Sequence, residues 1–180
     1  DNQVYDAAGG YSSSATPMGA ATVTTPAGKV LPGKLQKRKA ITKITAAHNA
    51  PYVAQTAPFL WQDMYKKAEK AFQTAGPAFL NVLSPCPPVW KIATDQSVHL
   101  TRLAAETCIW PIYEIHNGRR LTVNYKPRQK LPVTEWLKPQ ERFQHLLLPE
   151  NKWIVDKIQH EVDKEWEQLL SFGQDNQINQ

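Results

Sequence analysis

Residues 51–83, PYVAQTAPFLWQDMYKKAEKAFQTAGPAFLNVL, decide the fold class. Residues 51–56 form a short run suited to a strand. Residues 59–72 follow with helical periodicity. Leu60, Met64, Ala68 and Ala71/Phe72 recur along one side, while Lys66, Lys67 and Lys70 are expected to face away. Gly76 supplies a C-terminal stop and Pro77 forbids continuation. Residues 78–83 are then an apolar strand suited to burial within a mostly parallel sheet. Strand, helix and strand in that order predict an α/β layer structure.

Working outward, residues 40–48 read as a short helix with Ile41, Ile44 and Thr45 on one face. Downstream, Ser84-Pro-Cys-Pro-Pro stops sheet pairing. Asp95 is a suitable N-cap for a helix reaching about Cys108. Leu100, Leu103, Ala104, Thr107 and Cys108 share one stripe of that helix. Residues 109–115 and 121–125 flank His116-Asn117-Gly118, an Asn-Gly hairpin signal. Short helical turns are expected over 132–147. A long helix from Pro149 to about Leu170 carries Ile154, Ile158, Val162, Trp166 and Leu169 on its apolar side, and the polar tail 174–180 is expected to fray. Only two core strands precede the hairpin. Two parallel strands are too few for a complete domain, so further strands are expected upstream or on another chain. The absence of an initiating Met at Asp1 agrees with that expectation.

The 180 residues are 42% hydrophobic and 21% charged, enough for one ordinary domain with a buried core. No apolar run approaches the ~18 residues of a membrane span. Two cysteines form neither a disulfide scaffold nor a paired zinc motif. The formal charge of +5 permits anionic partners without naming one. Lys34, Lys37, Arg38, Lys39 and Lys43 form a basic cluster, but no aromatic residues alternate with it as nucleic-acid stacking requires, and a solvated face is the simpler expectation. The five histidines lack metal-ligand spacing, and phosphate-loop, dinucleotide and nucleophile-elbow motifs are absent.

Three features carry possible chemistry. The first 35 residues are rich in Gly, Ser, Thr, Ala and Pro, yet punctuated by Val4, Tyr5, Tyr11, Met18 and Val23, which suits an ordered binding loop. Asn2 and the backbone carbonyl two residues on can offer two hard oxygens to Mg²⁺, an ion normally shared with a phosphate. Cys86 ends an apolar strand and is framed by Pro85, Pro87 and Pro88. Spacing alone leaves open whether it is a thiolate ligand or an ordinary small residue. Cys108, on the buried helical stripe, reads as packing.

Taken together, DNQVYDAAGG (1–10), SSATPMGA (13–20), TTPAGKVLPGK (24–34), AAHNAPYVAQTAP (46–58), GPAFLNVLSPCPPVW (76–90) and AAETCIWPIYE (104–114) closely resemble, in order, the later half of the beta subunit of pyruvate:ferredoxin oxidoreductase. That subunit belongs to the thiamine-diphosphate 2-oxoacid:acceptor oxidoreductases. The resemblance runs from residue 1 to about 147. It implies that residues 1–110 are the later part of a thiamine-diphosphate and Mg²⁺-binding α/β domain, and that 111–180 are a hairpin and helical extension for subunit contacts. It implies cofactor contacts at Asn2, Val4, Tyr5 and Gly9, with Asn2 and the Val4 carbonyl on Mg²⁺. Cys86 would complete a [4Fe–4S] cluster whose other three thiolates lie upstream, an isolated fourth ligand being normal for such clusters. Cys108 falls where the family usually has Gly.

The implied reaction converts pyruvate and CoA to acetyl-CoA, CO₂ and reduced ferredoxin in a cytoplasmic enzyme. The implied partners are the upstream half or partner subunits, ferredoxin, the 2-oxoacid and CoA, with neither membrane nor nucleic acid. One departure bears on the substrate. The family run reads Asp-Asn-Glu-Ala-Tyr-Met-Asn-Thr-Gly, and its Asn-Thr pair is Ala7-Ala8 here. This removes a polar contact near the reacting centre and leaves oxalate or an aryl glyoxylate open beside pyruvate. A non-catalytic assembly subunit and a basic nucleic-acid-binding domain are the alternatives from other classes.

Overall fold

The computed structural model describes residues 1–6 and 10–178, with side chains described as far as Gly173. Residues 10–40 contain no helix or strand, only an isolated bridge between Ala27 and Pro32. Helix α1 (Ile41–Ala47), strand β1 (Tyr52–Thr56), helix α2 (Trp61–Gln73) and strand β2 (Ala78–Val82) follow. Next come helix α3 (Pro87–Trp90), helix α4 (Ser97–Glu106) and the hairpin β3 (Tyr113–His116) and β4 (Arg120–Val123). Helix α5 (Thr134–Leu137), a 3₁₀ stretch (Glu141–Leu147) and helix α6 (Lys152–Ile178) complete the order.

The sheet order among the described residues is β2-β1-β3-β4. The α/β expectation is met by β1 and β2, which pair in parallel from Tyr52↔Ala78 to Thr56↔Val82. The hairpin adds antiparallel to the other side of β1, making the four-stranded sheet mixed. Asn117 and Gly118 both take positive φ (52° and 66°), the conformation an Asn-Gly hairpin turn demands. Successive side chains of a strand point to opposite faces. Val53, Ile115 and Leu121 therefore meet Ala46 of α1 and Leu169 of α6 on one face. Tyr52 and Glu114 turn to α2 on the other.

Five local expectations are corrected. Helix α2 does not lie down on an apolar stripe: Lys67 is 1% exposed, while Phe72 is 91% exposed. The sheet face beneath it is polar, so a lysine and not a phenylalanine finds its partners there. Strand β2 is only partly buried: Asn81 is enclosed, Ala78 is exposed, and Phe79, Leu80 and Val82 are half-buried. Helix α1 buries Thr42 and Ala46 and leaves Ile41 and Ile44 exposed, since Thr42 donates to Gln55 Oε1 at 2.9 Å and accepts from Asn81 at 3.1 Å. Asp95 does not cap α4; it lies in a 3₁₀ turn (Thr94–Gln96) that feeds the helix. Helix α6 also runs past the expected end, to Ile178.

The main core lies beneath the long N-terminal loop. Trp90, Trp110 and Trp136 are fully buried there with Leu100, Phe143 and Ile154. Such rings bury ~150–250 Å² each and dominate core energetics. The loop is fixed to this core by its own small residues. A Cβ on Gly33 would meet the Gly19 carbonyl at 2.6 Å, and one on Gly19 would meet Leu146 Cδ1 at 2.5 Å. Both glycines have φ of +82°, so neither position accepts a side chain.

Candidate functional site

The N-terminal segment docks at the open edge of β2. The Asp1 nitrogen donates to the Val82 carbonyl at 2.6 Å, and the Ser84 amide donates to the Asp1 carbonyl at 2.9 Å. These two bonds have the parallel-ladder pattern that places Asp1 opposite Leu83. Asp1 also accepts Arg38 Nη1 at 3.3 Å, and that guanidinium lies 4.4 Å over the Trp110 ring. Gln3 then turns the chain sharply with φ of +63°. The turn is held by the Gln3 amide donating to Asp1 Oδ1 (2.9 Å), the Val4 amide to Asn2 Oδ1 (3.3 Å) and Thr16 Oγ1 to the Gln3 carbonyl (2.7 Å). Asn2 Oδ1 thus faces the Val4 backbone with lone-pair capacity left over. Val4 is buried and Tyr5 is 80% exposed. Gly9, Ala7 and Ala8 lie outside the described residues.

Cys86 is half-buried and unpaired with any cysteine. It precedes α3, and its carbonyl accepts the Val89 amide at 3.1 Å and the Trp90 amide at 2.8 Å. Pro87 and Pro88 begin this helical turn, where their missing N–H groups cost nothing. The proline frame therefore fixes the direction in which Cys86 leaves the chain.

Trp90 joins the two sequence-nominated features. Its amide bonds to Cys86, and its indole Nε1 donates to the Asn2 carbonyl at 2.9 Å. Against its face lies Arg142, with the guanidinium carbon 3.8 Å from the ring centroid. Arg142 Nη2 donates to Gln3 Oε1 at 2.7 Å, and Nε to Gln140 Oε1 at 2.9 Å. Neither Trp90 nor Arg142 stands out in the sequence as a site residue. The only hint is that Trp90 closes the run around Cys86 that carries the resemblance. Beside this assembly opens a cavity of about 590 Å³, bordered by Gly10, Thr22, Val89, Lys91, Arg142 and His145.

The donor set fits partial sites for the two implied groups. Among the described residues, no group of three or more His, Cys, Asp or Glu side chains could hold a metal on its own. One amide oxygen and one backbone carbonyl suit a share of a hard, oxygen-seeking Mg²⁺, and one thiolate suits a share of an iron–sulfur cluster. Cys108 belongs elsewhere: it is buried, and burial pushes its thiol up to about 11. Its φ of +60° is left-handed, which explains why Gly suits that position.

The basic cluster is not the uniformly solvated face expected. Lys34 is buried, with Nζ donating to the Thr16 carbonyl at 2.6 Å; Arg38 is turned onto Trp110, and Lys37 pairs with Glu161. These charges bind the loop to the body of the protein. No helix of the described residues is long and apolar enough to cross a membrane.

No family model matches the chain. Curated relatives do. Pyruvate synthase subunit PorB of Thermotoga maritima is 45% identical over 96% of this chain and 53% of its own length. Pyruvate synthase subunit PorB of Methanosarcina barkeri is 42% identical over 91% of this chain and 55% of its own. Ketoisovalerate oxidoreductase subunit VorB of Pyrococcus horikoshii is 35% identical over 97% of this chain and 55% of its own. The chain spans about half the length of the curated relatives it matches. Over nearly all of its own length it is therefore related to one half of the beta subunit of the 2-oxoacid oxidoreductases.

Proposed function

We propose that this chain supplies part of the cofactor site of a thiamine-diphosphate 2-oxoacid:ferredoxin oxidoreductase, with pyruvate and CoA as substrates. The observation that carries the proposal is Trp90. One side chain ties the Asn2 carbonyl to the turn that presents Cys86, so the expected Mg²⁺ ligands and the expected cluster ligand belong to one rigid unit. Residues 1–110 then form the later part of the cofactor domain. The parallel bonds of Asp1 to the edge of β2 are where its remaining strands join. Residues 111–180 form the extension that meets other subunits.

In this assignment Asn2 Oδ1 and the Val4 carbonyl would hold Mg²⁺, Tyr5 and Gly9 would border the cofactor, and Cys86 would supply one thiolate to a [4Fe–4S] cluster. When bound, thiamine diphosphate supplies the electron sink for decarboxylation of a 2-oxoacid, and the cluster supplies a one-electron route towards ferredoxin. The chain's own contribution is positional. The Gln3 turn directs Asn2 and Val4 together, the proline frame aims Cys86, and Trp90 keeps the two at fixed separation. A 1 Å error in such a site costs rate steeply.

The test uses the full protein in its complete assembly. Iron, thiamine and Mg²⁺ should be present, with brown absorbance near the visible–ultraviolet boundary. Asn2→Ala should lose thiamine diphosphate while keeping iron, and Cys86→Ser should lose iron while keeping thiamine. An assembly with neither iron nor thiamine overturns the proposal in favour of a non-catalytic subunit. Ala7-Ala8 favours one refinement: turnover of oxalate or an aryl glyoxylate in place of pyruvate would assign the substrate to those acids.

A further inference from the structure

Arg142 is 3% exposed, and its guanidinium is enclosed by Trp90 (3.8 Å), Phe143 (4.8 Å) and Trp136 (5.6 Å). Its hydrogen-bond acceptors are two neutral amides, Gln3 Oε1 and Gln140 Oε1. No carboxylate among the described residues pairs with it. Its Nη1 is buried without a partner, and so is the indole nitrogen of Trp136 in the same stack. Arg keeps its proton under all ordinary conditions, so this is a full positive charge held away from water. A buried unpaired charge is strongly unfavourable unless something of opposite sign lies near. Arg142 covers the ring of Trp90, whose amide is bonded to the Cys86 carbonyl, so the Cys86 turn and the Arg142 guanidinium are joined through one residue.

We infer that Arg142 is the charge-compensating residue for the anionic group anchored by Cys86, and that it raises the reduction potential of the cluster bound there. The inference rests on the assignment of Cys86 as a cluster ligand. One-electron reduction makes the cluster more negative by one charge and forms no bond. The electron comes from the 2-oxoacid in turnover and from the electrode in a titration. A fixed cation in a low-dielectric surround stabilises the reduced form over the oxidised one. The aromatic box serves the same end, since cation–π contact holds the guanidinium without neutralising it as a carboxylate would.

The experiment is a redox titration, followed by electron paramagnetic resonance, of the complete assembly. The relevant signal is the one that disappears in Cys86→Ser. Arg142→Met, which keeps volume and loses charge, should retain iron and lower the midpoint potential by at least a tenfold change in the reduction equilibrium, about 59 mV for one electron. Arg142→Lys, which keeps the charge, should remain closer to the unmodified protein. Gln3→Glu puts a carboxylate on Nη2 and should also lower the potential, with Arg142 still present. An unchanged potential in Arg142→Met at full iron content overturns the inference. If that variant does not assemble, an unchanged potential in Gln3→Glu overturns it instead. Absence of iron from the unmodified assembly removes the cluster assignment itself, which separates that failure from a failure of the role given to Arg142.

Discussion

Of the buried cations, Lys67 and Arg142 are treated in opposite ways. Lys67, on the inner face of α2, donates to Asp63 Oδ2 at 2.8 Å and to the Gln55 carbonyl at 3.0 Å. Beside it Lys70 holds Glu114 at 2.7 and 3.0 Å, and Tyr52 donates to the same carboxylate at 2.7 Å. Every charge under α2 therefore has its opposite. Arg142, beneath the candidate site, has aromatic rings and amides instead. A paired buried charge is a fastening, whereas an unpaired one is a standing field. The fold uses the first to attach a helix to a polar sheet face and keeps the second beside Cys86.

The contrast predicts different responses to loss of a partner. Asp63→Asn strands the Lys67 ammonium in a dry site and should cost about 3 kcal/mol in chemical denaturation of the full protein. Asp63→Asn combined with Lys67→Met should recover most of that loss, because removing both charges removes the desolvation cost as well. Recovery of none of it would show that Lys67 packs through its stem alone. Arg142→Met should cost less than Asp63→Asn, since no ion pair is broken.

Glu114 gives the paired region a pH signature. Burial raises its pKa, but the bonds from Lys70 and Tyr52 and the charges of Lys70 and Lys67 outweigh burial and hold it below the usual glutamate value. With the folded pKa below the unfolded one, the stabilisation is complete above about pH 4.3 and is lost as pH falls through the folded value. Glu114→Gln should remove on the order of 1.5 kcal/mol at pH 7 and flatten that part of the acid limb. Trp90→Phe deletes the indole bond to Asn2 and shrinks a fully buried ring while keeping an aromatic face under Arg142. It should cost at least about 1 kcal/mol and loosen thiamine and Mg²⁺ retention while leaving iron in place. Loss of iron with unchanged thiamine would reverse the direction in which Trp90 couples the two features.

The sequence conveys one side of this contrast better than the other. Strand–helix–strand order, the Asn-Gly hairpin and the apolar side of α6 are local patterns, and the fold contains each of them, although β3 starts later and α6 ends later than the local pattern indicates. The inward lysine of α2 is not legible, because its partner outside the helix is the Gln55 carbonyl of β1, which only the folded chain brings to it. Nor is the exposure of β2, which depends on how many strands lie beyond it. Asn2, Val4 and Cys86 are nominated by short motifs and a resemblance. Arg142 is not, because it stands 139 positions from Gln3 and only the folded chain brings the two together.

The smallest effect concerns the two thiols and leaves stability untouched. Cys86 and Cys108 look equivalent in composition, yet one is half-buried and the other is closed in the core. Burial raises the Cys108 thiol to about 11, with Asp163 adding to the shift and Lys130 opposing it. The thiolate is the reactive form, so Cys108 should resist alkylation at pH 8 in the folded protein. Cys86 should be alkylated in protein stripped of iron and protected in protein that holds its cluster. Peptide mass spectrometry after brief iodoacetamide treatment reads both positions at once. Cys108 labelling in the folded protein would contradict its enclosure, and equal Cys86 labelling with and without iron would break the link between that thiol and the cluster whose potential Arg142 is inferred to set.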